Sequence, residues 1–467
     1  MNVNSTICAL STAPGMGAIA LVRMSGKDAI SILSKIAGRS FENAESHSAH
    51  FVRLRRADNS ILDEVVITLF HEGKSFTGEP TVEIACHGSV YIQQEIIQLL
   101  LKAGCILAQP GEFTMRAFLN GKMDLSQAEA VSDLISAESA RSHEVAMNQM
   151  RGSFSTELRD LREKLIHFAS LVELELDFAE EDVEFADRSE LLQLVTEVLA
   201  YVNRLISSFE LGNVLKKGVP VAIVGAPNTG KSTLLNQLLG EDRAIVSNIA
   251  GTTRDVIEET LNIDGILFRL IDTAGIRENA AEEIEALGIS RSLEKISQAK
   301  VVLMLSDFSE TKSASEGHLS MTAEETGVWA DQLSTEYPDK HFLVLGNKSD
   351  LRSGDSSSLW NHKTKLLPIS AKSGLGIEEL KSWLSAQVLG NFNTQSDIIV
   401  SNARHVDALQ KTKESLEKAL YGLETQVTGD FVAMDIRQAM FWLGSITGQI
   451  SEDDLLANIF SKFCIGK

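Results

Sequence analysis

Apolar residues recur along this chain with two different periods. Leu158, Leu161, Leu165, Phe168 and Val172 fall three or four residues apart, as do Leu191, Val195, Val198, Val202 and Leu205. That spacing gives each of two helices one apolar stripe. Val406, Leu409, Leu416, Leu420 and Leu423 resume it near the far end. Packing between helices is the use such stripes predict. Between these blocks, short apolar runs alternate with helical stretches: VPVAIVG (219–225), ILFRLID (266–272), VVLMLSD (301–307) and HFLVLGN (341–347). This alternation predicts a parallel α/β sheet. The first stretch mixes the strand-like runs AIALVRM, VVITLF and TVEIAC with one or two helices, an α+β pattern. No proline occurs between Pro110 and Pro220 or after Pro368, as expected if both gaps are helical. Residues 310–325, ETKSASEGHLSMTAEE, read as a polar surface loop.

Composition narrows the class. A chain of 467 residues has room for about three domains, and 44% hydrophobic residues suit globular cores. No apolar run approaches the ~18 residues that span a bilayer. The first positive side chain is Arg23, so a secretory signal is not expected. Cys8, Cys86, Cys105 and Cys464 lie far apart with no CxxC pair. That argues against a zinc site or a disulfide framework and makes a reducing cytoplasm the expected compartment. A net charge of -21 argues against non-specific nucleic-acid binding and leaves room only for a local basic patch. Much of the excess sits in 171–190, with nine acids and one arginine.

Chemistry enters at Gly225-Ala-Pro-Asn-Thr-Gly-Lys-Ser232, which fits GxxxxGK[ST] between the strand VAIV and the apolar helix STLLNQLL. In that setting the loop cradles phosphates, with the helix N-terminus adding its positive dipole end. Asn228, Thr229, Gly230, Lys231, Ser232 and Thr233 make up the loop and first turn. Lys231 is expected on the β and γ phosphates and Ser232 on Mg²⁺. Asp272, Thr273, Ala274 and Gly275 end another strand, bringing a carboxylate near Mg²⁺ and a backbone N–H near the γ phosphate. Asn347-Lys348-Ser349-Asp350 matches N-K-x-D. Its Asp350 can accept both N–H groups of the guanine N1/N2 edge, a pair adenine lacks. Ser370, Ala371 and Lys372 match the loop that closes over the base. Four elements in order, each at a strand end, predict a Ras-like P-loop GTPase domain. Ras-like enzymes place a glutamine after D-x-x-G to orient water; here that position is Ile276. Two residues are candidates to compensate. Asn228 can ligate a monovalent cation that stabilises transition-state charge, and Glu285 can orient water.

Further motifs carry a resemblance. The middle domain adds Gly251-Thr-Thr-Arg-Asp255, DTAGIRE and EIEALGI. The flanks add Ser75-Phe-Thr-Gly-Glu79, Pro110-Gly-Glu-Phe113, Arg116-Ala-Phe-Leu-Asn120, Gly121-Lys122-Met-Asp-Leu125 and a terminal Phe463-Cys-Ile-Gly-Lys467. The whole chain resembles the MnmE (TrmE) family of potassium-stimulated tRNA-modification GTPases. The resemblance implies an N-terminal α+β folate-binding and dimerisation domain (1–120). It implies a helical domain in two parts (121–215 and 390–467), interrupted by the inserted GTPase domain (216–389). It implies a homodimer that acts with the flavoprotein MnmG to add an aminomethyl or carboxymethylaminomethyl group at carbon 5 of the wobble uridine of certain tRNAs. A 5-formyl-tetrahydrofolate or related folate would carry the one-carbon unit, and GTP hydrolysis would drive conformational change. By motif, Arg23, Glu83, Lys122 and Lys467 would line the folate site. Potassium would take Asn228, Ser247, Ile249 and Thr252, and Mg²⁺ would take Ser232 and Thr253. The loop containing Asn248, Ala250 and Gly251 would border GTP. Glu285 matches the catalytic glutamate, with Glu283 and Glu282 as alternative registers. The alternative function is an Era- or Der-like regulatory or ribosome-assembly GTPase, which would lack the folate-type module and the FCIGK end.

That end, SKFCIGK, has the outline of a prenylation box. Gly466 and Lys467 do not suit prenylation, and no polybasic run precedes them. In the company of the other motifs, the tail is expected to reach the folate region, with Cys464 supplying a thiol near the one-carbon unit.

Overall fold

Strands near the N-terminus turn alternate side chains into a shared core, as a half-buried sheet requires. The structure, a computed structural model, describes residues 5–56, 58–177, 188–242, 259–271, 293–309, 322–351, 360–389, 398–425, 427–450, 453–461 and 463–466. The chain packs as two units. One holds Met1–Ser132, Asn148–Ala200 and Ala408–Lys467; the other holds Asp133–Met147 and Tyr201–Asp407.

In the first unit, β1 (Ile7–Leu10), β2 (Ile19–Ser25), β3 (Ser48–Arg55), β4 (Ile61–Phe70), β5 (Thr81–His87) and β6 (Ile106–Leu107) lie in the order β3-β4-β5-β2-β1-β6. Only the β1–β6 pair is parallel. Helices Ala29–Ala37 and Val90–Ala103 cover one face, where Leu33, Ile36, Ile96 and Leu100 join Val22, Met24, Ile67 and Ile84 in one core. Each helix stops at a left-handed glycine, Gly38 (φ 67°) and Gly104 (φ 116°), the usual device for releasing the chain. A third helix, Glu112–Leu119, is one more than the sequence pattern predicts. The helix Ser153–Asp177 packs along Gly429–Thr447, where Arg162 Nε donates to the Met440 carbonyl at 3.3 Å. Leu158, Leu161 and Leu165 are buried, and Ala169 rather than the half-buried Phe168 continues the stripe.

In the second unit, β7 (Val219–Gly225), β8 (Glu259–Ile263), β9 (Ile266–Leu270), β10 (Val301–Asp307), β11 (His341–Asn347) and β12 (Leu366–Pro368) take the order β12-β11-β10-β7-β9-β8. All pairs are parallel except β8–β9. Both faces are apolar, with Ile223, Leu303 and Leu345 in one core and Val224, Val302 and Val344 in the other, as a covered parallel sheet demands. The expected loop 310–325 is corrected at its end. Thr322 accepts from the Glu325 N–H and Glu325 reciprocates, a capping box that starts the helix Ala323–Glu336. Together these parts make a multidomain protein: an N-terminal α+β domain, and helical segments interrupted by a P-loop α/β domain.

Candidate functional site

The described loops that carry the nucleotide motifs leave the carboxyl ends of β7, β11 and β12, where open α/β sheets bind ligands. The phosphate loop turns from β7 into the helix Lys231–Asp242. Gly225 (φ 157°) and Gly230 (φ 97°) give the turn its shape. A Cβ on Gly225 would sit 2.4 Å from the Leu305 carbonyl oxygen, and one on Gly230 would sit 2.2 Å from Asn347 Nδ2. The cradle therefore admits no side chain at either point. Asn228 is exposed and left-handed (φ 62°). Thr229 is buried, its hydroxyl donating to the Ala226 carbonyl at 2.8 Å. Lys231 Nζ donates to the carbonyls of Gly225 and Ala226 at 2.9 and 2.8 Å. Burial, followed by the charge of Lys295, holds its pKa below the ordinary lysine value. Ser232 is half-buried and Thr233 exposed in the first helical turn.

Asn347 ties this loop to the loop that follows β12. Its Nδ2 donates to the Thr229 carbonyl at 2.8 Å, and its Oδ1 accepts from the Ala371 N–H at 2.9 Å. Ser370 is fully buried, and Lys372 is exposed. Asp350 is exposed in the short turn Ser349–Leu351. Lys348 takes a left-handed conformation (φ 64°) and its Nζ meets Asp307 Oδ2 at 2.5 Å. Asp307 was not among the residues the motifs single out. The signal available was a carboxylate closing an apolar strand, and the β10–β11 register pairs it with Asn347. Burial pushes the Asp307 carboxyl up, but the Lys348 ammonium and the Ser309 N–H and hydroxyl outweigh that and hold it below the ordinary aspartate range.

Ser247, Asn248, Ile249, Ala250, Gly251, Thr252, Thr253, Asp272, Thr273, Ala274, Gly275 and Glu285 lie outside the described residues, as does Lys467.

The first unit gathers a second set. Arg23 and Glu83 face each other across β2 and β5, and Arg23 Nε and Nη2 both donate to Glu83 Oε1 at 3.0 and 2.8 Å. The rings of Phe113 and Phe76 lie 5.7 and 5.8 Å from the guanidinium. Lys122 Nζ donates to the Gly73 carbonyl at 3.0 Å, so it stands over the loop that carries Phe76. The C-terminal residues are docked: Phe463 is buried with Phe460, Met115 and Leu125. The Gly111 N–H donates to the Cys464 carbonyl at 3.4 Å, and the Ser11 hydroxyl donates to the Gly466 carbonyl at 3.3 Å. Cys464 itself is exposed.

Beneath this set runs a buried network to which the sequence motifs gave no role. Arg116 donates to the Ser5 carbonyl at 2.8 Å, to Glu79 at 3.1 Å and to Glu112 at 2.8 Å. Ser25 adds a bond to Glu79 at 2.7 Å. The quoted motifs around Glu79 and Glu112–Arg116 thus meet in one ionic cluster. No helix among the described residues is long and apolar enough to cross a membrane.

Known proteins share this sequence along its length. The profile of the GTP-binding protein TrmE N-terminus matches residues 6–122, and that of the MnmE helical domain matches residues 125–464. The tRNA modification GTPase MnmE of Cytophaga hutchinsonii is 52% identical over all of this chain and 98% of its own length. Those of Flavobacterium psychrophilum and Flavobacterium johnsoniae are 50% identical over all of both chains and 51% identical over 99% of each. A profile spanning most of the sequence and relatives of this identity over its whole length leave one assignment: the chain belongs to the MnmE family of tRNA-modification GTPases.

Proposed function

We propose that the protein couples GTP hydrolysis to modification of the wobble uridine in certain tRNAs. With the flavoprotein MnmG, it installs an aminomethyl or carboxymethylaminomethyl group at carbon 5, taking the one-carbon unit from a formyl-tetrahydrofolate. The observation that carries this reading is the presence, in one chain of this family, of a braced guanine-nucleotide site and of the Arg23–Glu83 pair in the unit that holds the docked tail. The match over both flanks removes the ground for an Era- or Der-like scaffold.

The glycine cradle and the Lys231 ammonium fit a triphosphate, and Asp350 fits guanine. Ser232 and Thr253 hold Mg²⁺ in this reading, and Asn228 with Ser247, Ile249 and Thr252 holds potassium. When bound, the two ions offset the charge that develops on the transferred phosphate. Glu285 orients the attacking water in place of the glutamine that Ile276 replaces. Both bonds from Arg23 end on Glu83 Oε1, so Oε2 is the acceptor for pterin N–H donors. Arg23, Lys122 and Lys467 are the cations for the folate carboxylates, and Cys464 brings a thiol toward the one-carbon unit. The working form is a cytoplasmic homodimer, and tRNA binds through a local patch completed by MnmG, given the net charge of -21.

Nucleoside analysis of tRNA from cells lacking the gene tests the reading. The wobble substituent should be lost and should return with the wild-type gene; unchanged tRNA would overturn it. Calorimetric titration with 5-formyl-tetrahydrofolate should give saturable binding that Glu83→Gln weakens by about tenfold, the loss of a charge-assisted pair of bonds.

A further inference from the structure

Two helices near the end of the chain, Ala403–Glu424 and Gly429–Thr447, carry a surface that neither the nucleotide nor the folate reading uses. The second buries Val432, Ala433, Ile436, Ala439 and Leu443. An amphipathic helix ordinarily turns polar residues to the opposite side. This one turns out Phe431 (58% exposed) and Met434 (54%), and the first helix leaves Tyr421 66% exposed. Tyr421 and Phe431 line one patch, and exposed aromatic rings gathered in this way are the composition of a protein interface.

The patch borders a groove of about 640 Å³. Its floor is Gly422, Val427 and Val432. A Cβ on Gly422 would sit 3.1 Å from Val432 Cγ2, so the missing side chain is what leaves the depression. Its rim carries three carboxylates, Glu414, Glu417 and Asp435, against one ammonium, Lys418. Lys413, from outside the groove, reaches Glu417 only at 3.7 Å. Burial pushes the Asp435 carboxyl above its ordinary range, and Lys418 offsets this only in part. A cation delivered to the groove would relieve that cost.

We infer that this groove docks a basic amphipathic helix of another protein, its apolar face on Tyr421 and Phe431 and its lysine or arginine side chains on Glu414, Glu417 and Asp435. The sign of the rim decides among occupants. Nucleic acid and anionic lipid would meet like charge. A second copy pairing this face with itself would oppose its own carboxylates across the two-fold axis. The acid-rich run 171–190 of this chain has the wrong sign. Helix-in-groove binding with apolar anchors and charged flanks is the mode that remains.

Fluorescence anisotropy with the full-length protein tests the inference. The probe is a labelled helical peptide of about five turns, with leucine and phenylalanine on one face and lysine and arginine on the other. A twin with glutamate for every cation and a scrambled isomer are the comparisons. The basic helix should bind saturably at ~10 μM, and both comparisons should bind at least about tenfold more weakly. Phe431→Ser and Glu417→Lys, both at exposed positions, should each weaken the basic helix by about tenfold, with circular-dichroism melts unchanged. Equal binding of the three peptides, or unaltered binding by both variants, would overturn the inference. Sedimentation gives the competing outcome: self-association abolished by Phe431→Ser would assign the face to a second copy of this chain.

Discussion

Asn347 holds the phosphate loop with its amide nitrogen and the base-closing loop with its amide oxygen. One side chain thereby keeps the two halves of the candidate nucleotide site in register. Gly230→Ala drives a methyl into that amide at 2.2 Å, at a backbone φ of 97° that disfavours any side chain. GTP affinity should fall by at least about tenfold, with far-ultraviolet circular dichroism unchanged; equilibrium binding of a fluorescent guanine nucleotide measures it. Asp307 acts one step further out, fixing the Lys348 ammonium beside the reading loop. Asp307→Asn should speed GDP release about two- to fivefold, the scale of a half-exposed ion pair, as stopped-flow dissociation would record. The sign of the pH effect follows from the carboxyl being held below its ordinary value of 3.8. Its contribution is complete above that value and is lost as pH falls through the lower folded-state value. The wild-type protein should therefore lose stability below pH 3.8 more steeply than Asp307→Asn.

At the scale of elements, the Arg116 cluster joins the lead into β1 (Ser5), the loop before β5 (Glu79) and the helix Glu112–Leu119. Arg116 is 1% exposed and its partner Glu112 4%, so water cannot replace a lost partner. Arg116→Met should cost about 3–5 kcal/mol, the price of stranding the buried Glu112 carboxylate, read from urea unfolding of the full chain. Arg116→Lys should restore little, since one ammonium cannot span the partners that a planar guanidinium reaches. A loss under ~1 kcal/mol would show that the cluster does not hold these elements together.

At the scale of the whole chain, the last residues return to the first unit. Phe463 fills a pocket with Phe460 and Met115, and a Cβ on Gly466 would meet the Leu10 carbonyl oxygen at 2.2 Å. Chain ends usually fray unless tied down; here a buried ring and two hydrogen bonds tie one down. Phe463→Ala should destabilise this unit by about 3 kcal/mol and remove hydrogen-exchange protection at the Gly111 amide, which donates to Cys464. Retained protection there would mean that the docking does not depend on the ring.

The sequence by itself determined most of the elements and the phosphate-loop motif, because both are written locally. Periods of 3.6 and 2 report which faces are buried, and a phosphate loop needs its glycines and lysine within eight consecutive positions, Gly225 to Ser232. The stripes at Leu158–Leu165 and Leu191–Leu205 and the runs at β7, β10 and β11 were legible for that reason. Local reading also erred where short-range hydrogen bonding decides, as at Thr322, whose capping box begins a helix inside an apparent loop. Only the tertiary structure decided the pairings between distant residues. Arg23 meets Glu83, Asp307 meets Lys348, Arg116 meets Glu79, and Gly466 meets Ser11. Sheet order and helix packing bring these groups together across tens or hundreds of residues, and no period in one chain encodes which distant partner a side chain will meet.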